Sequence, residues 1–533
     1  MLVKHISSFR RIWMFPRNIR RIYPWKIAQI LSLMYKLTEY EEWSGNQDLQ
    51  NAFCKSLEDA SLKSSGEQYD SKSGGPRTYF SQLRSLGLIF TRDDKKVYLT
   101  KAGEDLANGI APLPILQNQL LRHQYPSVYG NNKNVKINPL IKVKPFLFIL
   151  ELLINKDIEY LTNEEMAVPI IYGHNRDCLR LCIEKILNMR KGRTLLDVID
   201  DKEHDLYLPR SSTSDINKTI ANIKDIGNTC KNYLQACCLV SVENEENKEK
   251  IYFSEDMKYI VFSNLEHVDE FIDINKNKES FQRAYGAWDR IKDTRRIKTD
   301  ETEQILTPEN VIILSHFYEL AGKEIIDKMP ENFIDKMHSD FGFEKQKIKD
   351  VIYGHLPKAL DFFESTFIEL SYSGTGGAIE FEKAVCRLFE RKFYFKTNHT
   401  GQLKRSGGIG AYADVFAVAL DNKHCAIIDA KATARYSLPS NDCRAMVYSY
   451  IPNYLELTNN KKLKIEFGSF VAGGYRGEID TKLKKIKEAS GIDCSAVKAR
   501  DLILIAKKDL RKEDQGKIRK FLRRSKQVKI DDF

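Results

Sequence analysis

Apolar and polar residues fall in blocks whose period changes along the chain. Ile27 to Leu37 is apolar at helical spacing, and Asn46 to Leu62 reads as a second helix. Lys63 to Pro76 is a Ser/Gly-rich connection, and Arg77 to Ser85 forms a third helix that Gly87 closes. Leu88 to Thr91 and Lys96 to Thr100 are short extended runs around a turn at Asp93-Asp94, and a new helix starts at Lys101. Helix, two-stranded hairpin, helix is the order of a winged helix. Phe146 to Ile154 predicts another helix, and a second winged-helix pattern follows. It has a long helix over 215–236, then Cys238 to Val242 and Lys250 to Phe253 on either side of the acidic stretch 243–249. Residues 308–350 read as helices, with Leu314, Phe317, Leu320 and Ile325-Ile326 on one stripe. Further on, Ile379 to Phe389 predicts an amphipathic helix. Ala413 to Leu420 and Cys425 to Ala432 predict a β-hairpin across the turn Asp421-Asn422-Lys423. A strand over 467–474, a helix around 482–487 and a basic amphipathic helix over 507–529 complete the chain.

Composition changes this picture modestly. The 533 residues have room for about three domains, and 42% hydrophobic with 29% charged content is ordinary for a folded, water-exposed protein. No apolar run reaches membrane-spanning length, since Glu151 breaks the strongest one. Ten cysteines without a repeating pair pattern point to reduced thiols in a cytoplasm. His174, Cys178 and Cys182 share a helical face, but no fourth ligand accompanies them as a zinc site would need.

The net charge of +11 favours a polyanionic partner. Residues 1–30 carry Lys4, Arg10, Arg11, Arg17, Arg20, Arg21 and Lys26 with no acid, the first acid being Glu39. Trp13, Phe15-Pro16 and Tyr23-Pro24 interrupt the continuous helix of a targeting peptide, so an arm lying along phosphates is the preferred reading. Arg11, Trp13, Arg17, Arg20 and Arg21 are its candidate contacts. In a winged helix the helix before the wing enters the major groove, which would present Arg77, Thr78, Ser81, Gln82 and Arg84 to DNA. A winged helix used for protein contacts is the alternative. Arg122, His123 and Tyr125 form a second aromatic–cation patch, and Lys231 with Asn232 adds candidates on the 215–236 helix. The acidic 243–249 tip should point away from DNA, and the charge-dense stretch 275–302 reads as the start of a linker. The 507–529 tail is either a solvated face or a backbone contact.

Chemistry concentrates in the 413–432 hairpin. Asp429 and Lys431 are two apart and share a strand face, while Asp414 opens the partner run and returns to the same end. Two carboxylates beside a lysine suit a hard divalent cation and a polarised water. Glu382 on the preceding helix is a third candidate carboxylate. Other acid-x-Lys triplets, such as Asp256-Met-Lys258 and Asp480-Thr-Lys482, lie in polar or mixed surroundings. A surface hairpin with an ordinary salt bridge is the alternative.

These residues resemble the PD-(D/E)xK nuclease fold, and more closely the cleavage domain of the FokI type IIS restriction endonucleases. The resemblance covers about residues 355–510, with Gly407-Gly408 before Asp414 and Tyr436-Ser-Leu-Pro439 after Lys431. Ala413 stands where the family has proline. Trp13-Met-Phe-Pro-Arg17, Leu120 to Ser127 and Ile137 to Leu140 resemble the N-terminal half of the AlwI family of type IIS and nicking endonucleases, over roughly 10–260. Together they imply a multidomain fold: mostly α, winged-helix-like recognition subdomains at 1–145 and 146–274, a helical linker at 275–354, and an α/β cleavage domain at 355–533. They imply Mg²⁺ held by Asp414, Asp429 and the Ala430 carbonyl, with Lys431 and Glu382 completing the catalytic set. Double-stranded DNA is the implied substrate, a cognate DNA methyltransferase the implied companion, and a prokaryotic cytoplasm the implied location. The Asp and Arg of the family's dimer-forming helix fall on Arg444 and Tyr448, so transient pairing and a separate small subunit both stay open. A winged-helix regulator that does not cut, and a structure-specific repair nuclease, are the alternative functions.

Overall fold

The structure, a computed structural model, describes residues 9–10, 12–13, 24–38, 41–60, 62, 74–108, 112–128, 136–199, 216–245, 248–275, 277–295, 308–405, 408–409 and 411–533. The chain forms two compact units: residues 1–318 with 330–358, and residues 319–329 with 359–533. Residues 275–354, expected as a linker, divide between them.

The first unit is rich in helices. Pro24–Thr38 buries Ile27, Leu31 and Met34, and Gln47–Asp59 starts where the Asn46 side chain accepts the Leu49 N–H. The Gly74–Ser85 helix ends at Gly87, whose φ is +72°. A Cβ there would lie 2.4 Å from Gln119 Nε2, so the position needs glycine for its backbone and for its packing. Ile89–Thr91 then pairs antiparallel with Val97–Leu99, and Thr100 caps the Lys101–Ala107 helix.

The stretch after 275 is not a free connection. Gln282 Nε2 donates to the Ile89 carbonyl at 2.9 Å, Arg92 meets Glu279 at 2.9 Å, and Trp288 donates to Asp105 at 2.7 Å. Lys101 pairs with Asp289 and Arg295 with Glu104. The charge density of 277–295 therefore serves internal pairing against the helix–hairpin–helix segment. At its centre, the Asp293 side chain is 1% exposed and takes Arg283 at 3.0 Å and Arg295 at 2.8 Å. Burial opposes its ionisation, but the hydrogen bonds from Arg295 and Arg283 outweigh that and hold the carboxyl well below its usual range.

The Ile216–Ala236 helix leads into Val240–Glu245 and Lys248–Phe253, which pair antiparallel. A third strand, Tyr160–Thr162, adds to the outer side of Lys248–Phe253 and buries Leu161 beside Ile251. Three residues are too few to show a strand period, so this addition was not legible from the pattern.

The second unit is built on a six-stranded sheet in the order Gln527–Val528, Cys494–Lys498, Lys464–Ala472, His424–Lys431, Val415–Val418, Lys396–His399. The first four run parallel, and the last two pair antiparallel. His424–Lys431 is buried from Cys425 to Ala430, as a strand covered on both faces must be. The Ala378–Arg391 helix buries Phe381, Val385, Leu388 and Phe389. The tail differs from the expected single helix: only Gln515–Leu522 is α-helical, and Gln527–Val528 joins the sheet edge. Several of its cations are engaged, Arg519 by Glu466 at 2.5 Å and Asp421 at 2.8 Å, and Lys526 by Asp532 at 2.7 Å. No helix among the described residues is long and apolar enough to cross a membrane.

Asp293→Ala strips the shared carboxylate from two arginines and should destabilise the protein by about 3 kcal/mol at neutral pH. Because the folded carboxyl titrates below its unfolded value, the difference should shrink as pH falls through the acid range. Urea unfolding at several pH values checks both.

Candidate active site

The antiparallel pairing of Val415–Val418 with His424–Lys431 sets Val415 opposite Ile428, which brings Asp414 level with Asp429. Ala430 N–H donates to Asp414 Oδ2 at 2.7 Å and ties the two strand ends together. Strand alternation turns Asp429 and Lys431 to one side, where Lys431 Nζ lies 2.9 Å from Asp429 Oδ2. The Asp429 side chain is 1% exposed and that of Lys431 27%, and Asp414 is half-buried, so the ammonium sits at the mouth of a recessed carboxylate pair.

Electrostatics follow from this packing. Burial pushes the Asp414 carboxyl well above its usual range, and the charge of Asp429 adds to the shift. Burial raises Asp429 as well, against the opposing pull of Lys431. Burial works against the Lys431 ammonium, but Asp429 and Asp414 outweigh it and raise its pKa, so Lys431 stays a cation and is no proton acceptor. The pair is under-compensated by one lysine: two recessed carboxylates face a single positive charge.

Glu382 comes from the Ala378–Arg391 helix and is 8% exposed. Its Oε2 meets His399 Nε2 at 2.8 Å and Gln402 Nε2 at 3.5 Å. The segment carrying these partners is clamped to the strand end, because Thr400 N–H donates to the Asp414 carbonyl at 2.7 Å and Thr400 Oγ1 to that of Ala413 at 2.6 Å. Gly401 sits in the gap. A Cβ on it would lie 2.5 Å from Asp414 Oδ1 and 3.0 Å from Glu382 Oε2, so the missing side chain leaves a cradle edged by two carboxylate oxygens.

Among the described residues no three His, Cys, Asp or Glu side chains converge as a ready-made cage. Asp414, Asp429 and the Ala430 carbonyl are the available protein donors, and Glu382, held by His399, borders the same space. Sequence reasoning missed His399, Gln402 and Gly401. A histidine at the end of a polar strand carries no signal until pairing sets it opposite Val415.

The candidate DNA contacts of the first unit separate sharply. Arg77 is exposed, and Thr78, Ser81, Arg84 and Asn232 are half-buried. Burial removes the others, save Arg122, which is half-buried and taken up by backbone carbonyls. Trp13 is 2% exposed, donates to the Gly173 carbonyl at 2.8 Å and packs edge-on against Phe148. Gln82 is wholly buried and donates to Tyr233 Oη at 2.7 Å. Tyr125 is 2% exposed, and His123 is buried beside Tyr285, where burial lowers its pKa to about 4. Arg122 donates to the Ala284 carbonyl at 2.8 Å and to that of Ala287. Lys231 pairs with Glu249 at 2.7 Å with a side chain 7% exposed. Gln82 and Lys231 lie on the helices expected of them, and the buried polar ends in this set are satisfied by internal partners. Arg11, Arg17, Arg20 and Arg21 lie outside the described residues. The His174, Cys178 and Cys182 set does not form a metal cluster among the described residues, and burial raises the Cys182 thiol.

Compared with known protein families, residues 342–529 match the FokI cleavage domain. Among solved structures, the chain is similar to the restriction endonuclease FokI bound to DNA, at 13% identity over 86% of this chain and 82% of that one, with a TM-score of 0.26. A second FokI structure gives 12% identity over 99% and 100%, with a TM-score of 0.27. The BpuJ1 endonuclease binding domain in complex with pyrene- and phenanthrene-modified DNA gives 14% over 45% and 85%, with a TM-score of 0.31. No curated protein sequence matches the chain. Superpositions this loose lend the first unit no support, and its reading rests on its own residues.

Asp414→Asn keeps an acceptor for the Ala430 N–H and removes a carboxyl whose ionisation burial and Asp429 oppose. In chelator-treated buffer it should stabilise the protein by about 1 kcal/mol, measured by thermal unfolding. A clear loss of stability would show instead that the carboxylate pair is structural.

Proposed function

We propose that this chain, whose residues 342–529 match the FokI cleavage domain, is a site-specific deoxyribonuclease of type IIS that uses Mg²⁺. It reads a short asymmetric duplex site with its N-terminal part and hydrolyses phosphodiesters at a fixed distance outside that site. The observation that carries this reading is the convergence of Asp414, Asp429 and Lys431 at one end of two paired strands, with Glu382 beside them. When bound at Asp414, Asp429 and the Ala430 carbonyl, Mg²⁺ would polarise the scissile phosphate and make the attacking water more acidic. Lys431, fixed as a cation, orients that water and neutralises charge developing on the phosphoryl oxygens. Attack at phosphorus breaks the bond to the leaving deoxyribose oxygen, and no covalent enzyme intermediate is required. Glu382, held by His399 and Gln402, acts on this centre directly or through water.

In the N-terminal part, Gly74–Ser85, its hairpin and Lys101–Ala107 are read as a winged helix within a recognition subdomain over 1–145. Arg77, Thr78, Ser81 and Arg84 are its candidate DNA contacts. Residues 146–274 are read as a second such subdomain, with Asn232 as a candidate, and 355–533 as the cleavage domain. Tyr448 is 72% exposed on the π-helical stretch Met446–Tyr450; with Arg444 it replaces the Asp and Arg of the family's dimer-forming helix, so pairing with a second cleavage domain or a small subunit stays open. Loss of such pairing would give nicking of one strand. A methyltransferase marking the same site would protect host DNA in a prokaryotic cytoplasm.

Incubation with supercoiled plasmid and Mg²⁺, followed by run-off sequencing of both strands, tests the reading. Discrete breaks at a constant offset from a shared motif are expected; scattered breaks would favour a structure-specific nuclease. Lys431→Ala should lower cleavage by about a thousandfold while duplex binding persists. Gly401→Ala, which fills the cradle between Asp414 and Glu382, should cost about a hundredfold. Wild-type cutting by either variant would contradict the assigned geometry.

A further inference from the structure

The first unit holds a second charged concavity that the cleavage chemistry does not use. A cleft of about 680 Å³ opens among the Trp43–Gln50 corner, the Gly74–Ser85 helix, the 91–95 turn and the start of the Lys278–Tyr285 helix. Among the described residues five cations line it, Arg77, Arg84, Arg92, Lys95 and Lys278, and no acid does, although Arg92 pairs with Glu279 and Lys95 with Glu42 just outside the lining. Segments far apart in sequence thus bring like charges to one hollow, an arrangement that folding alone does not favour and that focuses positive potential there.

The cleft is built rather than accidental. Arg92 is held by Glu279 at 2.9 Å and lies 4.5 Å over the Tyr98 ring. Arg84 lies 5.4 Å over the Phe80 ring, and Arg77 Nε donates to Gln50 Oε1 at 3.1 Å. Lys278 is exposed at the first position of its helix, the positive end, where the helix dipole opposes a cation. The aromatic floor is closed: Trp43 and Phe80 stack on each other at 5.0 Å and are 5% and 6% exposed. No ring face is offered to an unstacked base. A hollow rich in cationic donors, without a stacking platform, fits phosphate oxygens.

We infer that this cleft seats the phosphodiester backbone of the duplex, with Arg77 and Lys278 each neutralising a phosphate. This rests on the reading of the first unit as a duplex-binding part. It assigns Arg77 to positioning rather than base reading, and it brings in Lys278 from a stretch that reads as a linker. Backbone contacts of this kind set register and affinity without sequence preference.

The test measures binding of the full chain, in metal-free buffer, to a mixed-sequence duplex and to one bearing the motif found by run-off sequencing. Each protein is titrated across a range of salt concentrations. Lys278→Gln and Arg77→Gln should each weaken binding to both duplexes alike and lower the slope of log K against log salt by about 0.9. The two variants are read separately, so a folding defect in one leaves the other informative. A wild-type slope in both variants overturns the inference, as does a loss confined to the motif-bearing duplex, which would make the residue a base reader. A wild-type protein that binds neither duplex overturns the endonuclease reading as well; a wild type that binds while both variants keep its slope overturns this inference alone.

Discussion

Two carboxylates forced together in a sheet interior are the constraint on which the second unit depends. Asp414 and Asp429 are pressed into proximity by strand register, and one lysine is too little to offset them. Left to itself the pair resists ionisation, because each charge is desolvated and repelled by the other. Lys431 offsets part of that repulsion, and the space at Gly401 lies beside Asp414 and Glu382.

The surrounding structure reads as support for that arrangement. The Ala378–Arg391 helix buries one apolar face and thereby fixes the depth of Glu382. The 399–402 segment, tied to the backbone of 413–414, then fixes the carboxylate's direction through His399. His424–Lys431 lies inside the sheet between Lys464–Ala472 and Val415–Val418 and is buried from Cys425 to Ala430, which fixes the level of Asp429 against Asp414. The candidate groups are carried by paired strands and a packed helix, and hydrogen bonds behind them set their direction.

Charge plays a different part in the first unit. Several of its cations answer an internal acid, as Arg283 and Arg295 answer Asp293, and these contribute to cohesion. Others, Arg77 and Lys278 among them, line a cleft with no acid among its described lining residues. Net charge pointed to a polyanion, while pairing decided which cations can meet one.

Much was determined by the sequence alone. Alternation around Asp421-Asn422-Lys423 specified the hairpin, and the two-residue spacing of Asp429 and Lys431 specified their common side, because strand geometry leaves no other outcome. Helix limits near Asn46, Gly87 and Thr100 were legible because caps and left-handed glycines act locally. Contacts between distant segments were not. His399 reached Glu382, Tyr160–Thr162 joined a sheet, the expected tail helix gave way to a strand, and residues 277–295 folded back as packing. Trp13, Gln82, His123, Tyr125 and Lys231 have the chemistry of DNA contacts, yet they face inward. Residue type and period fix which element a side chain sits on; only the burial of one element against another decides whether it meets solvent, a substrate or the core.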